Sequence, residues 1–106
     1  MREANIDEGL GCVYVPCAAA AIIVNENDDP HIWEDLLDVL NKLIREGVWR
    51  HDKVDHNGAA HLKASILGPN ETVPIQRGRL ALGTWQAIML VELDGPRDRH
   101  VIVTIQ

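Results

Sequence analysis

The sequence predicts an α+β domain: a mostly antiparallel β-sheet with two helices packed on it, in the order ββααβββ. Three observations predict it. Two short apolar runs come first, closed by Pro16 and by the polar stretch at residues 25–30. Two segments with apolar residues at helical spacing follow, and then β-rich runs separated by turn-forming tetrapeptides. No repeat, linker or low-complexity tract interrupts the 106 residues, which read as one domain with residues 1–8 as a poorly ordered or truncated lead-in.

The first strand is expected over residues 10–15, where Pro16 stops it, and the second over residues 20–24. The stretch Asn25-Glu26-Asn27-Asp28-Asp29-Pro30 is helix-start chemistry, with Asp29 as the cap and Pro30 at the first helical position. Ile32, Trp33, Leu36, Leu37, Val39, Leu40, Leu43 and Ile44 then form a broad apolar face, which places Trp33 in the core, and Gly47 ends the helix. Residues 57–67 suit a short helix or a strand. A helix is favoured, closed by Gly68-Pro69-Asn70. Strands are expected over residues 71–75, 84–93 and 100–105, with turns at Gln76-Arg77-Gly78-Arg79 and Asp94-Gly95-Pro96-Arg97. The last two strands read as an antiparallel hairpin.

Composition narrows the function classes. The formal charge of −6 and the lack of any positive block argue against general nucleic-acid binding, which leaves a basic footprint. The longest apolar run, residues 18–24, is too short to span a bilayer, and the first eight residues hold no signal-peptide core, so a cytoplasmic protein is expected. Cys12 and Cys17 fall on a strand and its exit, where their side chains face opposite sides, so two free thiols are expected rather than a disulfide.

Three of the five histidines, His51, His56 and His61, stand at five-residue intervals. Imidazole is the commonest neutral metal ligand and the usual acid–base group near neutrality. Ten residues cover roughly 15 Å in a helix and about 33 Å in a strand, so His51 and His61 share a ligand only if the chain doubles back. Asn57-Gly58 offers that turn. The spacing matches no compact zinc motif, and three solvated loop histidines stay open as the other reading.

Several blocks together resemble the YjbQ family, whose members are named secondary thiamine-phosphate synthases. They are Pro16-Cys17-Ala18-Ala19-Ala20-Ala21, Asn25-Glu26-Asn27, Arg50-His51-Asp52, the run from Ala60-His61-Leu62 to Leu67-Gly68-Pro69, Leu82-Gly83-Thr84-Trp85-Gln86, and Glu92-Leu93-Asp94-Gly95-Pro96-Arg97. The resemblance implies a compact α+β fold, a homotrimer, and a pocket near subunit boundaries where histidines hold a divalent metal such as zinc. It also implies an opening β segment that has no counterpart in this sequence, which leaves three readings open: a fragment, a lineage that lost an edge, or a chain that borrows pairing from a neighbour.

Where the family typically reads Pro-His-Thr-Thr-Ala, this chain reads Pro16-Cys17-Ala18-Ala19-Ala20. A thiolate replaces an imidazole, and Cys17, His51 and His61 become the expected metal ligands, a three-ligand set that leaves a position for water or substrate. Two hydroxyl groups become methyls, which weakens binding of a phosphorylated small molecule by about 1.5 to 3 kcal/mol for each lost contact to charge. Glu26 is the candidate base and Gln86 the candidate polar partner in the pocket, with Trp85 on the opposite strand face. Lys63, Ser65 and Arg97 are the candidate substrate-binding groups, while His56 is assigned to the surface. The family name implies coupling of a pyrimidine diphosphate to a thiazole phosphate. Two further readings stay open: a non-catalytic trimer holding a metal or an anion, and a metal-dependent hydrolase using Glu26.

Overall fold

The computed structural model describes residues 6–106. In chain order the elements are β1 (Gly9–Tyr14), β2 (Ala20–Glu26), α1 (Pro30–Leu43), a 3-10 turn (Arg50–Lys53), α2 (Gly58–Leu67), β3 (Asn70–Gln76), β4 (Arg79–Leu80), β5 (Gln86–Glu92) and β6 (Ile102–Ile105). The α+β expectation holds, with every strand pairing antiparallel. Of the expected lead-in, residues 1–5 lie outside the described residues. At residues 6–8 the Asp7 carbonyl accepts from Gly78 N–H at 3.0 Å.

The strands divide into a four-stranded sheet in the order β4-β3-β1-β6 and a two-stranded sheet of β2 and β5. This corrects the expected C-terminal hairpin. The chain does turn at residues 94–97, but β5 pairs with β2 and β6 pairs with β1. Turn chemistry shows where a chain changes direction, whereas strand partners are fixed by which apolar faces must be buried together. The Arg77-Gly78 turn behaves as expected: φ values of 54° and 74° fall in the left-handed region that suits a tight hairpin, here joining β3 to β4.

Asp29 caps α1 by accepting from His31 N–H, with Pro30 at its start. The helix ends at Leu43, and the Ile44 N–H bonds back to the Leu40 carbonyl. Gly47, with φ 75°, belongs to the following loop rather than to the helix end. The placement of Trp33 in the core is also corrected. It is 41% exposed, and its indole N–H reaches the Glu26 carbonyl at 3.1 Å, so the ring lies across the end of β2. A broad apolar stripe fixes which face of a helix turns inward but does not guarantee that the chain has enough mass to cover it.

The core is small. Val15, Ala20 and Ile22 form its buried centre, with Val13, Cys17 and Ile88 packed around it. Helix α2 lies against β2 through Ala59, Ala60 and Ala64, all buried. Gly68 closes α2 at φ 95°, and its carbonyl accepts from Ile22 N–H, tying the helix end to β2. Cys12 and Cys17 are both free thiols, as expected. No helix among the described residues is long and apolar enough to cross a membrane.

Candidate functional site

The 3-10 turn and the first turn of α2 bring His51 and His61 together, with ring centroids 4.8 Å apart and planes at 84°. The doubling back rests on Asp52. One carboxylate oxygen accepts from Trp49 N–H at 3.0 Å and the other from Gly58 N–H at 2.9 Å, which folds the turn onto the start of α2. These donors, Trp49 first and Gly58 second, hold the Asp52 carboxyl below its ordinary pKa, and His56 and His51 add to the effect. Gly58 is required by space: a Cβ there would meet Asp52 Oδ1 at 2.9 Å and Trp49 Cβ at 3.0 Å.

Each imidazole has one nitrogen engaged. His61 Nδ1 lies 3.0 Å from the Ala18 carbonyl, which can only accept, so Nδ1 carries the proton and Nε2 keeps a lone pair. His51 Nε2 lies 2.9 Å from Asn57 Oδ1, and Asn57 Nδ2 donates to Asp94 at 3.1 Å. Asp94 is held in turn by Arg97 at 3.3 Å. Both histidines line an open cavity of about 770 Å³ with Trp49, Arg50 and Leu62. His61 also lines a smaller cavity of about 380 Å³ with Cys17, Ala18 and Ser65.

The other expected site residues are dispersed. Among the described residues no three His, Cys, Asp or Glu side chains gather closely enough to hold a metal ion, so Cys17 shares a cavity with His61 without completing a three-ligand set. Lys63 is only 5% exposed and its ammonium donates to Asn41 Oδ1 at 2.6 Å, with Glu46 at 4.0 Å. Two residues beyond His61 on a helix, it faces nearly the opposite way. Ser65 lines the Cys17 cavity and donates to the His61 carbonyl at 3.0 Å.

Glu26 and Gln86 are register partners at one end of the β2–β5 pair, whereas Ala20 and Glu92 mark the other, nearer the histidines. Six residue steps along the strand separate the two ends by roughly 20 Å. Gln86 Oε1 accepts from Gly83 N–H at 2.8 Å, and Trp85 beside it is exposed. Arg97 reaches Asp94 from an exposed turn, and His56 is exposed, as expected.

Arg50, Trp49, Asn57, Asp94 and the Glu92–Arg99 pair were given no role at the site by sequence reasoning. Arg50 and Trp49 stand directly before His51, a proximity that offered the signal. Arg99 binds Glu92 through two parallel contacts, the second at 2.9 Å. That pairing holds the Glu92 carboxyl below, and the Arg99 guanidinium above, their ordinary pKa values; the Cys17 sulfur adds to the Arg99 shift.

Residues 1–106 match the family model described as YjbQ, UPF0047 protein YjbQ-like. The chain is 46% identical over 97 residues to a UPF0047 protein of Archaeoglobus fulgidus, covering 91% of this chain and 76% of the relative. It is 39% identical over 102 residues to the UPF0047 protein YugU of Bacillus subtilis, covering 93% and 75%. Among solved structures it resembles a conserved YjbQ/UPF0047 protein of Clostridium acetobutylicum, with a TM-score of 0.94 and 42% identity over 99% of this chain and 81% of that one. A hypothetical protein of Aeropyrum pernix gives a TM-score of 0.93 and 42% identity, covering 99% and 78%.

Proposed function

Because this chain belongs to the YjbQ family, we propose that the His51–His61 cavity is a small-molecule site with thiamine-phosphate synthase chemistry, weakened at Cys17, Ala18 and Ala19. We propose also that the two histidines hold a divalent metal, zinc by donor preference. One observation carries the reading: each imidazole has one ring nitrogen within hydrogen-bond distance of an oxygen acceptor, which leaves the other nitrogen for a ligand. His51 and His61 would supply two donors, and with no third His, Cys, Asp or Glu gathered beside them among the described residues, water or substrate would fill the remaining positions.

In the reaction, the thiazole nitrogen attacks the methylene carbon of the pyrimidine diphosphate. A C–N bond forms, the C–O bond to pyrophosphate breaks, and pyrophosphate carries away the electron pair. A divalent metal would supply positive charge for that leaving group. Arg50, on the same cavity wall, offers a cation for phosphate in place of the diverted Lys63, and Trp49 offers a flat apolar surface for a heterocycle. Ala18 and Ala19 present no hydroxyl. Their side chains therefore offer a phosphate no donor, and only backbone N–H groups could serve it from this loop.

Trimer assembly is part of the proposal. The radius of gyration is 15.8 Å, against about 13 Å for a compact chain of this length. Trp33, Leu37, Leu43, Val101, Ile102 and Val103 are large apolar side chains left exposed, the kind of surface that subunit contacts cover. Two free thiols suit a cytoplasmic setting. A non-catalytic trimer binding a metal or an anion is the second reading, favoured specifically by the methyls at Ala18 and Ala19.

The test begins with elemental analysis and zinc titration of protein purified without a metal-affinity tag. The expected result is zinc binding that is lost in His51→Ala and His61→Ala. Synthase activity is then measured in the parent and in Cys17→His combined with Ala18→Thr and Ala19→Thr, which is expected to gain rate. Absence of zinc binding overturns the metal assignment. Zinc binding without thiamine phosphate from either protein overturns the synthase assignment and leaves the binding protein.

A further inference from the structure

Asn57 occupies the cap position of α2, where an asparagine side chain ordinarily accepts from the first free helix N–H groups. Here it makes no such bond. Asp52 takes the N–H of Gly58, the first helical residue, and the Asn57 amide is turned between His51 and Asp94. A residue well suited to capping has therefore been relieved of that task and placed in a side-chain chain that reaches across to the segment after β5.

The polarity of this chain is forced from one end. A carboxylate only accepts, so the Asn57 nitrogen must face Asp94 and its oxygen must face His51. An amide oxygen also only accepts, so His51 must present Nε2–H to it. Asp94 is itself fixed on two sides: its backbone N–H donates to Glu92 Oε2 at 2.8 Å, and its carboxylate faces Arg97. Glu92 is anchored by Arg99. The relay thus ends on a charged network on a different segment of the chain.

We infer that Asn57 and Asp94 are positioning residues that hold His51 as the Nε2–H tautomer with its lone pair on Nδ1, while the Ala18 carbonyl holds His61 as the opposite, Nδ1–H tautomer. The two rings at the site are chemically distinct because different segments orient them. An exposed imidazole left to itself would exchange between tautomers and ring orientations, whereas these two each offer one defined lone pair to a ligand. The assignment builds on the reading of this pair as the functional site, and its test separates the two.

The test is nitrogen-15 NMR of the full chain labelled at histidine, at a pH where both rings are neutral, since ring nitrogen shifts distinguish the tautomers directly. The expected parent spectrum shows Nε2–H for His51 and Nδ1–H for His61. In Asn57→Ala and Asp94→Ala, His51 is expected to move to a tautomer mixture with faster N–H exchange while His61 stays unchanged. Asp94→Asn, which keeps an acceptor oxygen, is expected to retain more of the parent pattern. Since Asn57 does not cap α2, its replacement leaves the helix intact, and the backbone amide spectrum checks this. A His51 that is Nδ1–H or mixed in the parent, or unaltered in Asn57→Ala, overturns the inference. Zinc titration forms a separate arm, with affinity expected to fall about 10- to 100-fold in Asn57→Ala. A parent that binds no zinc overturns the metal assignment and leaves the tautomers to be decided by the spectrum.

Discussion

Helix α1 leaves most of its large apolar side chains in solvent, whereas α2 buries its small ones and leaves the larger Leu62 and Ile66 exposed. In α1 only Leu40 is buried, while Trp33, Leu37, Val39 and Leu43 are exposed. In α2, Gly58, Ala59, Ala60, Lys63 and Ala64 are all buried. The difference follows from approach distance. Small side chains allow α2 to lie close to β2, and that closeness brings His61 within reach of the Ala18 carbonyl. Trp33, Leu36 and Leu37 of α1 instead face the β2–β5 pair across an open cavity of about 500 Å³. The site is therefore built on the helix with the weaker sequence signature, and the stronger signature marks a surface left open.

The contrast can be broken first on α2. Enlarging Ala59, which is 2% exposed, should strain the helix–sheet contact, so Ala59→Leu is expected to cost about 1 to 3 kcal/mol in urea unfolding. A change below that range would mean that α2 packs loosely and that the two helices are alike.

A smaller effect is expected from acid at the start of α2. The folded Asp52 pKa lies below its ordinary value of 3.8, so its stabilisation is fully present above that value and is lost as pH falls through the lower, folded value. Amide shifts of Trp49 and Gly58 followed from pH 5 downward should move together below about pH 4, ahead of global unfolding. Invariance of these signals until the whole chain unfolds would remove Asp52 from its organising role.

The least effect is expected on α1. Leu43 is 73% exposed, and Leu43→Ala should change the stability of dilute, dissociated protein by no more than about 0.5 kcal/mol. A larger loss that grows with protein concentration would show that another subunit covers the stripe.

Local chemistry made much of this architecture legible in advance. Asp29 and Pro30 mark the start of α1, Gly68 the end of α2, and Arg77-Gly78 a hairpin, because each signal acts within a few residues of itself. The family blocks singled out His51 and His61, and the Asn57-Gly58 signal anticipated their return to one place. What failed depended on distant partners. The strands on either side of residues 94–97 look like a hairpin until their partners are known, and Lys63 looks available for phosphate until the phase of α2 and the position of Asn41 are known. The contact between Asn57 and Asp94 joins segments with no shared local pattern, so no motif in either one announces it.

The pairing of β1 with β6 sets a temporal order on the molecule. Gly11 is matched with Ile105, and Leu10 exchanges two backbone hydrogen bonds with Gln106, so β1 must wait through the synthesis of every element between it and β6 before this pairing can form. Until then one edge of β1 carries unpaired N–H and C=O groups beside Leu10 and Tyr14, both exposed in the finished fold. The nascent chain consequently passes through a stage in which this edge of β1 is open to mispairing, and escape from that stage depends on synthesis reaching β6.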